Sequence, residues 1–433
     1  MRGGWLAVIV VAAGARAQAA PASPEALERG RALVQKAECG RCHTLPAPVA
    51  AAPRQRSCAG CHAWIHGTRE DPAAAARERR SFPLWDRYMA TVASFLDVPD
   101  LSASAARLDP AFVARYLRAP FKVRPALPEG MIRTGFDEEE AAAVAAWLAA
   151  AARRPWSASA EARAAAAVEP SVAPEHLAEG QRLFERLGCG TCHARGDRPA
   201  TGAGPPAPDL AFARERMRPE TAAAFIADPA AFGGETRMPR YPIGAVEAAR
   251  LRDYLWSLAG ERASPAPPVE LPLLARPVAY AEVRAQVFDR ICIHCHMDPR
   301  KNGGEGGPGN TGGLGYRGVK LDLETWAGIQ RGAIDAQGRR VSILTGRAGE
   351  EAPLVARLRA RYLEHARERR GPAAVAAGGA PGMPLGLPPL TPEQFQLVRS
   401  WVAQGGPGPV RPVARVSRSG VKIARGSAEG PKQ

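Results

Sequence analysis

Residues 189–193 read Cys189-Gly-Thr-Cys192-His193, and the same five-residue pattern occurs three more times, as Cys39-Gly-Arg-Cys42-His43, Cys58-Ala-Gly-Cys61-His62 and Cys292-Ile-His-Cys295-His296. The four stretches use all 8 Cys of the 433-residue chain and four of its 8 His. A disulfide framework does not require a His after every pair. Paired zinc knuckles use Cys-x-x-Cys but do not demand His at the next position each time. A thioredoxin-like site occurs once, beside a βαβ pattern that is absent here.

Cys-x-x-Cys-His repeated four times is the attachment pattern of c-type haem. The two thiols add to the two vinyl groups along one edge of the macrocycle, and two intervening residues give the sulfurs that separation. The next residue then carries its imidazole under the iron as proximal ligand. The sequence thus predicts four covalent haem c groups. Cys39, Cys42, Cys58, Cys61, Cys189, Cys192, Cys292 and Cys295 would hold them, with His43, His62, His193 and His296 as metal ligands.

Working outward, three units repeat one plan. Each opens with a helix before its first Cys: Pro24–Ala37, with Ser23 as N-cap, Pro24 at the first helical position and Gly30; Glu175–Leu187, with Gly180 and Phe184; and Ala281–Ile291, with Phe288. Each closes with a helix bearing an aromatic residue, Trp147, Tyr254 or Trp401, and Asp137-x-x-Glu140 and Thr391-Pro-x-Gln394 are capping signals for the first and last. A loop methionine precedes each closing helix: Met131, Met238 and Met383. The expected fold class is all-α.

This plan resembles the class I cytochrome c family over residues 24–152, 174–260 and 278–406, with the second haem motif inserted into the first unit. It is most specific in the second unit, at Gly204-Pro-Pro-Ala-Pro-Asp-Leu210 and Arg237-Met238-Pro239. The third unit, with Val319-Lys-Leu-Asp-Leu-Glu-Thr and the closing Trp401-Val-Ala-Gln-Gly405, looks more like planctomycete-type cytochrome c domains. The resemblance implies that opening and closing helices cross at a small residue packed on an aromatic. It also implies that the Pro208 carbonyl orients His193, and that Met131, Met238 and Met383 supply second axial ligands. A thioether suits low-spin iron and raises its potential relative to two imidazoles.

The second motif, fourteen residues after His43, has no such partner. His66, Met89, His176 and His365 are candidates. His66 lies four residues after His62, so on one helix it shares the His62 face and cannot readily reach the far side of the same iron. It could instead serve the first haem and leave Met131 to the second, and Met89 is the other option. His176 reads as solvated, His365 as a surface residue, and His294 has no assigned role. Gly307-Pro-Gly309-Asn-Thr-Gly312 matches a dinucleotide fingerprint literally, but with no preceding strand it reads as a loop.

The N-terminus has the order charged, apolar, small: Arg2, the run Trp5–Ala15, then Ala17-Gln18-Ala19. This predicts a signal peptide over 1–19 and a periplasmic location. The remaining expectations are a di-haem domain over 20–152, a linker at 153–173, a mono-haem domain over 174–260, a Pro-rich linker at 261–277, a mono-haem domain over 278–408 and a basic flexible tail at 409–433. The tail also permits a short hairpin about Ser419-Gly420. The formal charge is +15, and 6 basic residues against one acid in the tail supply a third of it. Haem propionates and loss of the signal bring the holoprotein to roughly +5 to +9, which suits an acidic redox partner or docking on a membrane complex. Nucleic acid is not expected, because the basic residues are not interleaved with stacking aromatics. The expected work is single-electron transfer between redox partners of a respiratory chain. The alternative is a haem enzyme, a peroxidase or small-oxyanion reductase with an open distal site at the second haem.

Overall fold

The computed structural model describes residues 22–53, 56–81, 85, 92–152, 155–204, 206–233, 236–258, 260, 262, 269–301, 306–375 and 378–409. The signal peptide, Met89 and all but the first residue of the basic tail lie outside them. The described residues are mostly helical, and their only strands are two two-stranded hairpins, Gly312–Gly313 with Tyr316–Arg317 and Ala333–Ile334 with Arg340–Val341. The all-α expectation holds at this level. No helix among the described residues is long and apolar enough to cross a membrane.

In the first unit Ser23 caps the helix Pro24–Lys36, accepting from the Ala26 amide at 3.2 Å. Its partner, Glu138–Ala151, begins with a reciprocal cap: Asp137 accepts from the Glu140 amide at 2.8 Å and Glu140 from the Asp137 amide at 3.1 Å. The two helices cross at Gly30, where a Cβ would strike the Ala143 carbonyl and stand 2.8 Å from the Trp147 Cβ. Only hydrogen fits there. The second unit repeats the crossing between Pro174–Arg186 and Ala245–Ser257, with Gly180 against the Arg250 carbonyl and 2.7 Å from the Tyr254 Cβ. Phe184 and Tyr254 then meet edge to face at 5.6 Å.

The third unit departs from a regular opening helix. Tyr280–Val283 is α-helical, but Arg284–Phe288 widens into a π-turn before the cysteines. The closing helix Pro392–Ala403 forms behind its Thr391–Gln394 cap, and Phe288 meets Trp401 at 5.9 Å. Those rings join Tyr280, Tyr362 and Phe395 in an aromatic core, against which the 18-residue helix Pro353–Arg370 packs.

Segment 153–173 differs from the expected linker. Ser159 caps a helix over Ala160–Ala166, whose Ala162 and Ala165 are wholly buried against the alanines of Pro219–Ala227, and Trp156 stacks on Phe232 at 5.6 Å. Alanine is the best helix former and its small side chain lets two helices approach closely. The composition that reads as a connector is what packs here.

The units also interlock. Phe121 of the first meets Phe212 of the second at 4.9 Å, and the Asp109 amide donates to the Arg216 carbonyl at 2.8 Å. Arg262, inside the Pro-rich stretch, donates to buried Asp209 at 2.8 Å, to the Lys122 carbonyl at 2.8 Å and to the Arg369 carbonyl at 3.1 Å. One guanidinium therefore bonds to all three units.

Candidate cofactor-binding site

The motifs at Cys39, Cys189 and Cys292 share one backbone. Each forms a single 3-10 turn, in which the second Cys and the His both donate to the first Cys carbonyl: 3.2 and 3.0 Å at Cys39, 3.3 and 3.0 Å at Cys189, 3.2 and 3.0 Å at Cys292. The motif at Cys58 is built otherwise. It begins the regular helix Cys58–Arg69, capped by Ser57, which accepts from the Gly60 amide at 3.0 Å. None of the eight cysteines is in a disulfide.

The imidazoles are held by their Nδ1 atoms. His43 Nδ1 lies 2.9 Å from the Pro99 carbonyl, His62 Nδ1 2.6 Å from that of Ser94, and His193 Nδ1 2.7 Å from that of Pro208. A carbonyl only accepts, so Nδ1 carries the proton and the lone pair sits on Nε2, as a metal-ligating imidazole requires. Burial pushes all three rings below the usual histidine range, which keeps them neutral. Burial takes His296 down to about 4; its Nδ1 makes no full hydrogen bond, although the Leu321 carbonyl is close enough to favour the proton.

The carbonyls beside His43, His193 and His296 begin one short motif: Pro99-Asp100-Leu101, Pro208-Asp209-Leu210 and Leu321-Asp322-Leu323. The Leu amide returns a bond to the His segment, from Leu101 to the Thr44 carbonyl at 2.9 Å, from Leu210 to that of Ala194 at 2.9 Å and from Leu323 to that of His296 at 2.8 Å. Each Asp fixes the turn by accepting from an amide two residues on, at 2.7, 2.9 and 2.9 Å. Only Pro208 stood out from the sequence. The shared Asp-Leu dipeptide was the signal that identifies Pro99 and Leu321 as its counterparts.

The thiols fall into two groups. Burial pushes Cys39 up to about 11, and Cys292 and Cys295 up to about 12, although Cys295 keeps one face open to solvent. Cys42 and Cys58 act on each other: Cys42 is raised and Cys58 is lowered, with Arg41 assisting. The first and second motifs are therefore neighbours.

The other candidate ligands divide unevenly. Met131 packs on the first core with Cys39, and Met238 on the second core with Cys189. Met383 is fixed by its amide, which donates to the Arg357 carbonyl at 2.9 Å, but it is not among the residues that pack with Cys292 on the third core. His66 is half-buried on the His62 helix, one turn further along. His176 bonds the Ser171 hydroxyl at 2.7 Å. His365 is not a surface residue: it is half-buried, and burial together with Arg361, Lys122 and Arg369 drives it down to about 4.

Among the described residues no three His, Cys, Asp or Glu side chains converge to hold a bare metal ion. Paired thiols on one turn, an adjacent imidazole with its lone pair on Nε2 and, in two units, a thioether on the same core fit a haem c, whose macrocycle supplies the remaining donors. No protein-family model, curated protein or solved structure matches the chain.

Proposed function

We propose that this chain is an exported tetrahaem c-type cytochrome that passes single electrons between redox partners. The observation that carries the reading is the threefold repeat of one unit, a Cys-x-x-Cys turn and a neutral imidazole set beside the carbonyl before an Asp-Leu pair, with the Nδ1 bond to that carbonyl made at His43 and His193. When bound, haem c supplies reversible one-electron iron chemistry. The chain's part is to hold, orient and exclude water. The 3-10 turn would offer both thiols to one cofactor edge, the carbonyl would set the ring plane and basicity of the proximal imidazole, and Met131 and Met238 would offer soft sulfur from the cores on which they pack. The mutual influence of Cys42 and Cys58 supports two neighbouring sites, as a carrier with internal transfer needs. Acidic redox proteins are the proposed partners and the periplasm the proposed compartment.

Maturation in a host with haem-ligation machinery, followed by intact-mass and pyridine-haemochrome measurement, tests the reading. Four covalent haems with successive one-electron reductions are expected. Fewer haems after full maturation, or zinc in their place, would sink it.

A further inference from the structure

The His62 site is braced differently from the other three. At Pro99, Pro208 and Leu321 the residue after the carbonyl is an Asp, whose carboxylate fixes the turn by accepting a backbone amide. His62 is held instead by the Ser94 carbonyl, at 2.6 Å, and the residue after Ser94 is Phe95, whose side chain has no acceptor. The turn is also strained. Phe95 has φ 63°, in the left-handed region that a bulky side chain rarely adopts, and its ring meets the His62 imidazole edge to face at 5.5 Å. A carboxylate does bond this turn, but it comes from 34 residues away: the Phe95 amide donates to Glu129 Oε1 at 3.0 Å.

Glu129 is held firmly where it stands. Its side chain is buried, as is Ser94. Buried Lys122 donates through Nζ to the Leu127 and Pro128 carbonyls at 3.0 and 2.7 Å and to that of Glu129, and the Gly130 amide donates to the Gly386 carbonyl of the third unit at 2.8 Å. The ammonium thus bonds the carbonyls of this loop and not the carboxylate. Glu129 Oε2 meets no hydrogen-bond donor among the described residues. A buried carboxylate oxygen without a donor costs stability, so support of the fold does not account for Glu129, and the bond to Phe95 does.

We infer that Glu129 is a positioning residue for the second haem site, holding the left-handed Phe95 turn so that the Ser94 carbonyl stays on His62 Nδ1. The inference rests on the reading of Cys58, Cys61 and His62 as a haem site. A carbonyl on Nδ1 fixes the plane of a ligating imidazole and raises its basicity, which favours ferric iron. With the turn released, the ring would rotate and donate less, and the potential of that iron would rise. Glu129 thereby takes, from a separate loop, the part that Asp100, Asp209 and Asp322 take at the other sites. Two residues further on, the same loop carries Met131, which packs with Cys39 on the first core. One loop therefore serves both sites of the first unit.

Two conservative variants of the fully matured chain separate reach from charge, read by mass, electron paramagnetic resonance and redox titration. Glu129→Asp keeps the charge but draws the oxygen back from the Phe95 amide by one methylene. Glu129→Gln keeps an oxygen within reach and removes the charge. Glu129→Asp should keep four haems, shift the g values of one of them and raise its potential. Glu129→Gln should leave all g values in place, with no more than the rise in potential that loss of a negative charge brings. The shifted signal should be the one missing from Cys58→Ala with Cys61→Ala. Unchanged g values in Glu129→Asp, an equal shift in Glu129→Gln, or a shift on another haem overturns the inference and leaves the tetrahaem reading standing. A wild-type chain that matures with no haem on Cys58 and Cys61 overturns the reading beneath it.

Discussion

Cys42 and Cys58 act on each other's acidity, Cys42 being raised and Cys58 lowered, so the last cysteine of one motif neighbours the first cysteine of the next. On the tetrahaem reading, Cys42 and Cys58 would hold the thioether edges of two neighbouring cofactors. Chromophores so close share their excitation, and the Soret circular dichroism of the matured protein should show a bisignate couplet. Cys58→Ala with Cys61→Ala removes one member and should leave a single-signed band. A single-signed Soret band in the wild-type chain would place the two groups apart.

Met238 and Met383 make contrasting predictions. Met238 packs on the same core as Cys189, whereas Met383 is not among the residues that pack with Cys292 on the third core. Met238→Ala should abolish one near-infrared sulfur-to-iron band and lower one reduction potential, because a thioether stabilises ferrous iron. Met383→Ala should have a smaller effect on the bands. Equal losses from both variants would show that the third unit closes on Met383 when its cofactor is attached.

The helix crossings at Gly30 and Gly180 were legible because a glycine in an otherwise good helix former needs a reason, and an aromatic on the partner helix supplied one. Caps at Ser23, Asp137 and Thr391 were legible for the same local cause. Long-range order was not. Nothing in the sequence near Arg262 says that its guanidinium would bond to all three units, and nothing near Ala160–Ala166 distinguishes a packed alanine helix from an alanine-rich connector. The site divided along the same line. Each Cys-x-x-Cys-His motif is contiguous and readable, while the Pro99 and Leu321 carbonyls depend on chain brought in from elsewhere.

His365 gives the chain an acid-sensitive step. Its folded value is about 4, pushed there by burial and by Arg361, Lys122 and Arg369, against 6.5 when unfolded. The unfolded state therefore takes up a proton between about pH 6.5 and 4 that the folded state refuses, and stability falls across that window as pH drops. Above pH 6.5 the group is neutral in both states and has no effect. Urea midpoints measured from pH 7 to pH 4 should decline, and His365→Gln should decline less. Parallel curves for the two proteins would show that His365 relaxes to solvent when protonated.

Asp209 and Arg262 carry the last prediction. Asp209 is fully buried; it accepts from Arg262 at 2.8 Å and from the Gly196 and Ala211 amides at 3.0 and 2.9 Å, while the residue before it, Pro208, holds His193. Asp209→Asn keeps the shape and an acceptor for the amides but leaves the Arg262 guanidinium without its charge partner. Breaking a buried pair from one side costs about 3–5 kcal/mol, and the retained amide acceptor should hold the loss to about 3 kcal/mol. Arg262→Ala leaves the opposite charge stranded and also removes its bonds to the Lys122 and Arg369 carbonyls, so it should destabilise at least as much and loosen all three units. The double variant should lose less than the sum of the two single variants, because the stranded charge is removed along with its partner. Denaturant midpoints give the three energies, and proteolysis should become faster between units in Arg262→Ala. Additive energies with unchanged proteolysis would mean that Arg262 only covers Phe212, over whose ring it sits at 4.7 Å, and that the units are held together elsewhere.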